Sequence, residues 1–264
     1  MTDIFAANLA PLHLLKHPFY QAWMAGTLTQ AQLRDYAQQY YAHVDAFPRY
    51  LGAIHSQCAD AGMRRDILDN LNDEEGVTHG TSHPELWLQF AEGMGATRAA
   101  VTSTEPRAAI QNVIETFMSA ARGSLHEGLG ALYAYESQVP EIAESKISGL
   151  KQNYGVTDAR TLQFFEVHKT ADIAHRDVIK TMLDQLPEPQ KQEAAAAARM
   201  QAAELQRPGF ASDVAQRRHG ERYQQQTQAP LAEEVPDCEL RVWPQTQTAH
   251  FRQLQHEDQQ RQRT

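Results

Sequence analysis

The stretch FFEVHKTADIAH, residues 164–175, carries His168, Asp172 and His175 at offsets of four and three. On a helix turning about 100° per residue, Asp172 lies roughly 40° from His168, and His175 roughly 20° to the other side. Two imidazoles and a carboxylate therefore leave one narrow stripe and can converge on a point. Phe164, Phe165, Val167, Ile173 and Val178 surround them, and polar groups bordered by core residues must be hydrogen-bonded, paired or metallated. A second candidate is Glu136 in GALYAYESQVPEIA, at helical spacing from Leu129, Leu132 and Tyr133, where a buried carboxylate needs a cation. A third group lies in NLNDEEGVTHGTSHPELW: Glu74 or Glu75 closing one helix, and His83 opening the next. Glu74 shares a stripe with Ile67 and Leu71, Glu75 with Leu68 and Leu71, and periodicity does not separate them.

Glu74 or Glu75, with His83, Glu136, His168, Asp172 and His175, together offer three imidazoles and three carboxylates without thiolate, a nitrogen–oxygen set suited to iron or manganese. Six donors exceed what one metal with open positions needs, so two divalent ions are the economical reading. No Glu-x-x-His and no His-Glu-x-x-His occurs, which sets the chain apart from ferritin-like di-iron and zincin motifs. Walker loops, GxGxxG and serine-nucleophile motifs are missing as well.

The elements that must position these residues read as helices. Thr29 and Gln32 have capping-box spacing, and Leu33, Tyr36, Ala37, Tyr40, Val44 and Phe47 follow as an apolar stripe that Pro48 is expected to interrupt. MRRDILDNLNDEEG stops at Gly76, and Ser82 caps the next run three residues before Glu85. A further helix is expected from Thr104 with Pro106 in its first turn, then a long one from Ser124 through Pro140 to Gly155. The run holding the opening motif extends to about Leu186, and the Ala-rich PEPQKQEAAAAARMQAAELQ follows. No alternating strand appears, so the expectation is an all-α bundle of seven or eight helices.

The chain has 264 residues with 42% hydrophobic content, enough for one large domain, placed at 1–206. From 207 to 264 it is Gln- and Arg-rich and is expected to be a disordered tail. A formal charge of −9 argues against a nucleic-acid binder. The two cysteines, Cys58 and Cys238, make neither a disulfide framework nor a zinc pair. With no membrane-length apolar run and no signal-peptide pattern, a cytoplasmic protein without membrane contact is expected.

The segments HPFYQAWMAGTLTQAQLRDYAQQYYAHVDAFPRYLGAIHSQC, ILDNLNDEEG, HPELWLQF, ALYAYESQVPEIAESKISGL and FFEVHKTADIAH, in that order, resemble the family of the chlamydial death-domain-associating protein and its bacterial relatives. That family sits with pyrroloquinoline-quinone synthase and thiaminase II in a group sharing the haem-oxygenase-like helical fold, and the resemblance covers roughly residues 5–186. It implies a dimetal oxygenase holding iron and/or manganese through Glu74, His83, Glu136, His168, Asp172 and His175, with Glu74 preferred over Glu75. It implies further that dioxygen and an external reductant drive the formation of para-aminobenzoate for folate synthesis. The aromatic ring would come from the protein's own tyrosine and the amino group from a lysine, without an external organic substrate. The matching positions are Tyr20 in HPFY, Tyr135 beside Glu136, and Lys146 in ESKI, while His43 is a candidate pocket residue. By analogy of fold a homodimer is expected.

Three other readings compete. A pyrroloquinoline-quinone synthase-like oxidase acting on a small organic substrate has no need of three carboxylates in its pocket. Thiaminase-like hydrolysis needs a reactive cysteine, for which Cys58 is the sole candidate in the folded region. An interaction protein needs an apolar surface stripe, and none is distinctive.

Overall fold

The computed structural model describes residues 3–211 apart from residue 79. The Gln- and Arg-rich stretch beyond 211, including Cys238, lies outside the described residues. Among those described, the chain forms α1 (Ile4–Leu9), α2 (Pro18–Met24), α3 (Gln30–Gln57), α4 (Ala61–Glu74), α5 (His83–Gly93), α6 (Arg98–Thr102), α7 (Ala108–Gly123), α8 (Leu125–Glu136), α9 (Val139–Asn153), α10 (Ala159–Asp184) and α11 (Glu188–Leu205). Two short 3₁₀ turns, Ala10–Leu12 and Leu14–Lys16, join α1 to α2, and no strand is present among the described residues. Eight of these helices are long enough to show a periodic stripe; α1, α2 and α6 are too short for one, which is why the sequence suggests fewer. None is long and apolar enough to cross a membrane.

Helix α3, the longest of the described helices, packs against α4, α5, α6, α7 and α8. Its cap is reciprocal, the Thr29 hydroxyl accepting from Gln32 N–H while the Gln32 side chain accepts from Thr29 N–H. The stripe Leu33, Tyr36, Ala37, Tyr40, Val44 and Phe47 is buried throughout, against α4, α5 and α7. Pro48 does not interrupt it. The helix continues to Gln57, because Phe47, Pro48, Tyr50 and Leu51 are all buried, and that packing outweighs the one lost backbone bond. Tyr50 stacks on Phe117 of α7 at 4.2 Å between ring centres.

Two further boundaries depart from the sequence expectation. The stretch Thr104–Arg107 is not helical. Arg107 is held by α3, its guanidinium bidentate on Asp35 and its backbone N–H donated to Gln39, so α7 starts only at Ala108. The single long helix expected over 124–155 is two, α8 and α9. Pro140 lies in the first turn of α9, where its missing N–H is harmless. Gln138 fills the gap, accepting from Leu14 N–H and donating to the Ala134 carbonyl. The break puts Glu136 at a helix end and Lys146 on a different helix.

Helix α11 packs along α8 through Ala194, Ala195, Ala198 and Ala202, all buried. The backbones approach so closely that a Cβ on Gly130 would lie 2.1 Å from the Ala194 carbonyl oxygen, which explains the small residues on both sides. The packed chain runs past residue 206: Phe210 and Ala211 are buried, and Phe210 meets the rings of Tyr40 and His17 edge-on.

Candidate metal centre

Three helix termini and the middle of α10 bring the six candidate residues into one region. Glu74 is the last residue of α4 and His83 the first of α5. The turn between them depends on Gly76, which has φ +74° and whose Cβ, if present, would lie 2.4 Å from Ser82 N. Ser82 then caps α5 by accepting from Glu85 N–H. His83 Nδ1 stands 2.9 Å from Glu74 Oε2, off the alignment of a hydrogen bond. Glu75 is exposed; its stripe partner Leu68 faces outward, whereas Ile67, Asn70 and Glu74 are buried.

His168 is buried on α10, and its Nδ1–H donates to the Phe164 carbonyl at 2.6 Å. A carbonyl only accepts, so the proton is on Nδ1 and the Nε2 lone pair is left for another partner. The His83 and His168 rings are 4.3 Å apart. Glu74, His83 and His168 each present one ligating atom, all within 4.8 Å of one another.

The other three lie alongside. Glu136 ends α8; its Oε1 accepts from Asn70 Nδ2 at 2.8 Å, and its Oε2 is buried without a hydrogen-bond partner. Asp172 is buried, with Oδ1 3.7 Å from His175 Nδ1. His175 Nε2 lies 3.1 Å from Asp73 Oδ2. Asp73 and Asn70 were not expected from the sequence, although Asn70 stands on the buried stripe of α4, three before Asp73 and four before Glu74. Ile173 and Val178, taken as apolar company for the stripe, are 44% and 36% exposed. Neither is packed into the core, so the burial of His168 and Asp172 comes from the neighbouring helices.

The groups act on one another. Burial pushes the Glu136 carboxyl up to about 8, opposed by His175 and reinforced by Asp172. Burial works against a charged His175, yet Asp172, Glu136 and Asp73 outweigh it and lift it to about 9. His83 is also raised, burial being overcome by Glu74 and Asp172, while burial and the neighbouring His83 lower His168. The carboxylates thus find imidazoles for counter-charge. The orphaned Glu136 Oε2 and Asn70 Oδ1, each costing about 1–3 kcal/mol if left unmatched, together with the His168 lone pair, fit a donor set for divalent cations.

Beside this cluster is a small cavity lined by Tyr20, Tyr40, Trp87, Tyr135, Lys146, Phe164, Phe165 and His168, with aliphatic residues of α9 closing it. Lys146 is only 4% exposed. Its Nζ donates to the Tyr36 hydroxyl and lies 5.1 Å from the Tyr20 ring centre, 4.6 Å from that of Tyr36 and 5.5 Å from that of Tyr40. Burial holds its amine well below the ordinary lysine value. Burial likewise raises the Tyr20 phenol, which the Tyr36 hydroxyl partly offsets. Tyr135 and Tyr40 share a hydrogen bond of 2.9 Å between their hydroxyls. The buried His43 meets both rings and is pushed down to about 3 by burial, but it does not line the cavity. Tyr36 and Tyr40 read as core from their stripe. The signal that they do more is the phenol hydroxyl, which needs a partner once buried. Cys58 is buried at the end of α3, its thiol hydrogen-bonded to the Asp60 carbonyl, and it is not among this cavity's lining residues.

Over residues 34–207 the chain matches a family described as iron-containing redox enzyme. A Chlamydia pneumoniae protein named 4-aminobenzoate synthase is 43% identical over 185 residues, covering 70% of this chain and 81% of that protein. A Nitrosomonas europaea protein of the same name is 42% identical over 192 residues, covering 68% of this chain and 77% of that protein. A pyrroloquinoline-quinone synthase from Granulibacter bethesdensis is more distant, 29% identical over 163 residues, with 61% of this chain and 63% of that protein covered. A solved domain of unknown function with a haem-oxygenase-like fold, from Shewanella denitrificans, superposes with a TM-score of 0.65 at 16% identity, covering 88% of this chain and 95% of that one. This last likeness is one of fold alone.

Proposed function

The chain belongs to the family of iron-containing redox enzymes, with the haem-oxygenase-like helical fold, and from that premise we propose that it forms 4-aminobenzoate from its own Tyr20, with Lys146 as the nitrogen source. One observation carries the reading: the Tyr20 ring, the Lys146 amine and the candidate ligand His168 line the same small cavity. Glu74, His83 and His168 would hold one ion, and Glu136, Asp172 and His175 a second, a set that suits iron or manganese. Loaded, that pair supplies one-electron oxidation by dioxygen, with electrons from an external reductant.

The product dictates what the residues must do. In 4-aminobenzoate a nitrogen stands para to a carboxylate, where tyrosine has its oxygen para to Cβ. The Cα–Cβ bond of Tyr20 must therefore break, Cβ must become the carboxyl carbon, and nitrogen must replace the phenol oxygen. A donor amine must be neutral and close to the ring. Burial favours the neutral form of Lys146, and its Nζ is 5.1 Å from the Tyr20 ring centre. Tyr36 takes a hydrogen bond from that amine and acts on the Tyr20 hydroxyl, so it fixes the two reactants relative to each other. Trp87, Phe164 and Phe165 wall the cavity and keep bulk water out. Tyr135, which precedes Glu136 at the end of α8, lines this cavity, a phenol placed for transfer of one electron and one proton.

Protein grown on ring-labelled tyrosine, loaded with iron and manganese and given a reductant in air, should release at most one labelled 4-aminobenzoate per chain. Peptide mass spectrometry should find Tyr20 altered in proportion, and Tyr20→Phe should yield no product. Many turnovers per chain with Tyr20 intact would contradict the sacrificial reading.

A further inference from the structure

Resting on the dimetal reading, we propose that the cleft between α4 and α10 is the route by which hydrated divalent cations reach the centre, with Asp66 and Asp69 capturing the ion at its mouth. The cleft is open to solvent, about 190 Å³ in volume, and lies where α4 and α10 barely touch. Asp66, Asp69 and Asn70 of α4 face Ala174, His175 and Val178 of α10 across it, and apolar side chains, Ile67, Ile179 and Met182 among them, make up much of its walls. Among the described residues, no lysine or arginine lines it.

Position on α4 makes a ladder of these groups. Asp66, Asp69, Asn70 and Asp73 fall at offsets of zero, three, four and seven, hence on one helix face. The first two of these are exposed and the last two are not: Asp66 and Asp69 are exposed, Asn70 is 4% exposed, and the Asp73 side chain is 17% exposed. Asn70 is the second, independent pointer to a ligand. It lines the cleft, its Oδ1 is buried with no hydrogen-bond partner, and its Nδ2 donates to Glu136 Oε1. One side chain thus joins the cleft to the candidate centre. From the other wall His175 does the same, lining the cleft while 3.7 Å from Asp172 Oδ1.

The physical case is one of hydration. A divalent cation gives up its water reluctantly and moves inward where oxygen or nitrogen donors replace each water in turn. The cleft offers carboxylate, then amide oxygen, then imidazole and buried carboxylate. Both routes have apolar walls, but the aromatic cavity on the other side is lined by no carboxylate, whereas the cleft has Asp66 and Asp69, so an ion entering by the cavity would lose water with less in exchange. Two uncompensated carboxylates at the mouth also raise the local cation concentration.

The test measures loading rather than turnover. Full-length protein stripped by chelation is mixed anaerobically with Mn²⁺, and loss of the aqueous Mn²⁺ paramagnetic resonance signal after rapid freezing gives rate and final uptake together. Asp66→Asn/Asp69→Asn should load about tenfold more slowly at low salt and lose most of the salt dependence of the rate, with final uptake equal to the wild type's. Val178→Trp, which narrows the cleft without changing its charge, should also load slowly to the same final uptake. Glu115→Gln/Glu188→Gln, removing two exposed carboxylates on α7 and α11, should load at the wild-type rate. Wild-type rates in both cleft variants would overturn the route and leave the dimetal reading standing. A wild type that takes up no manganese would overturn that reading, and the route with it.

Discussion

Lys146 carries a chemical conflict in one side chain: an ammonium wants water, and this one is 4% exposed inside a ring of aromatic side chains. Burial is what lowers its proton affinity, and the consequence can be measured as stability. Between the lowered folded value and the ordinary lysine value the unfolded chain binds more protons at this amine than the folded chain does, so stability rises with pH there. Lys146→Met, of similar length and without charge, should therefore be more stable than the wild type at pH 7, with the gap closing as pH approaches the ordinary lysine range. Urea unfolding of both proteins at pH 7 and 9.5 checks this. A gap that does not change with pH would mean the folded protein keeps the ammonium, and an ammonium has no lone pair to offer a ring carbon. At this scale the sequence was legible where spacing alone decides the outcome: the offsets of His168, Asp172 and His175 put the three on one stripe. Asp73 and Tyr36 were not, because each acts through a tertiary contact, one to His175 and one to Lys146, that no local pattern announces.

Among the elements, the turn from α4 to α5 has the most to position, since it sets Glu74 against His83. Gly76→Ala would force φ +74° on a residue with a Cβ and drive that Cβ to 2.4 Å from Ser82 N. Gly80 has φ +80° with nothing within 4 Å of a Cβ. Gly80→Ala should therefore cost only the conformational penalty of about 1–2 kcal/mol, a fall in Tm of about 2–8 °C for a chain of this size. Gly76→Ala should cost clearly more and should also weaken metal retention. Thermal melts of the two variants, with and without added Mn²⁺, decide it; equal losses would show that the turn is not held as described. The capped helix starts at Thr29 and Ser82 were readable because a cap is local chemistry. The passage of α3 through Pro48 and the break between α8 and α9 were not, since each is decided by what the helix packs against.

For the whole molecule, the governing fact is that a chain of net charge −9 gathers the carboxylates of Glu74, Glu136 and Asp172 in its interior, with imidazoles to answer them. Hydrophobic packing explains the bundle around them but gives no reason to bury acids, whose desolvation is costly unless cations repay it. The all-α architecture followed from periodicity. The convergence of three helix ends on the middle of α10 is a property of topology, which a single sequence shows only through resemblance. The most direct measurement is metal content by plasma mass spectrometry on wild type, His168→Ala and Glu136→Ala, each checked for retained helicity by circular dichroism. Two equivalents of iron or manganese per wild-type chain, falling to one or fewer in both variants, is the expected result. Metal content unchanged in both folded variants would contradict the account.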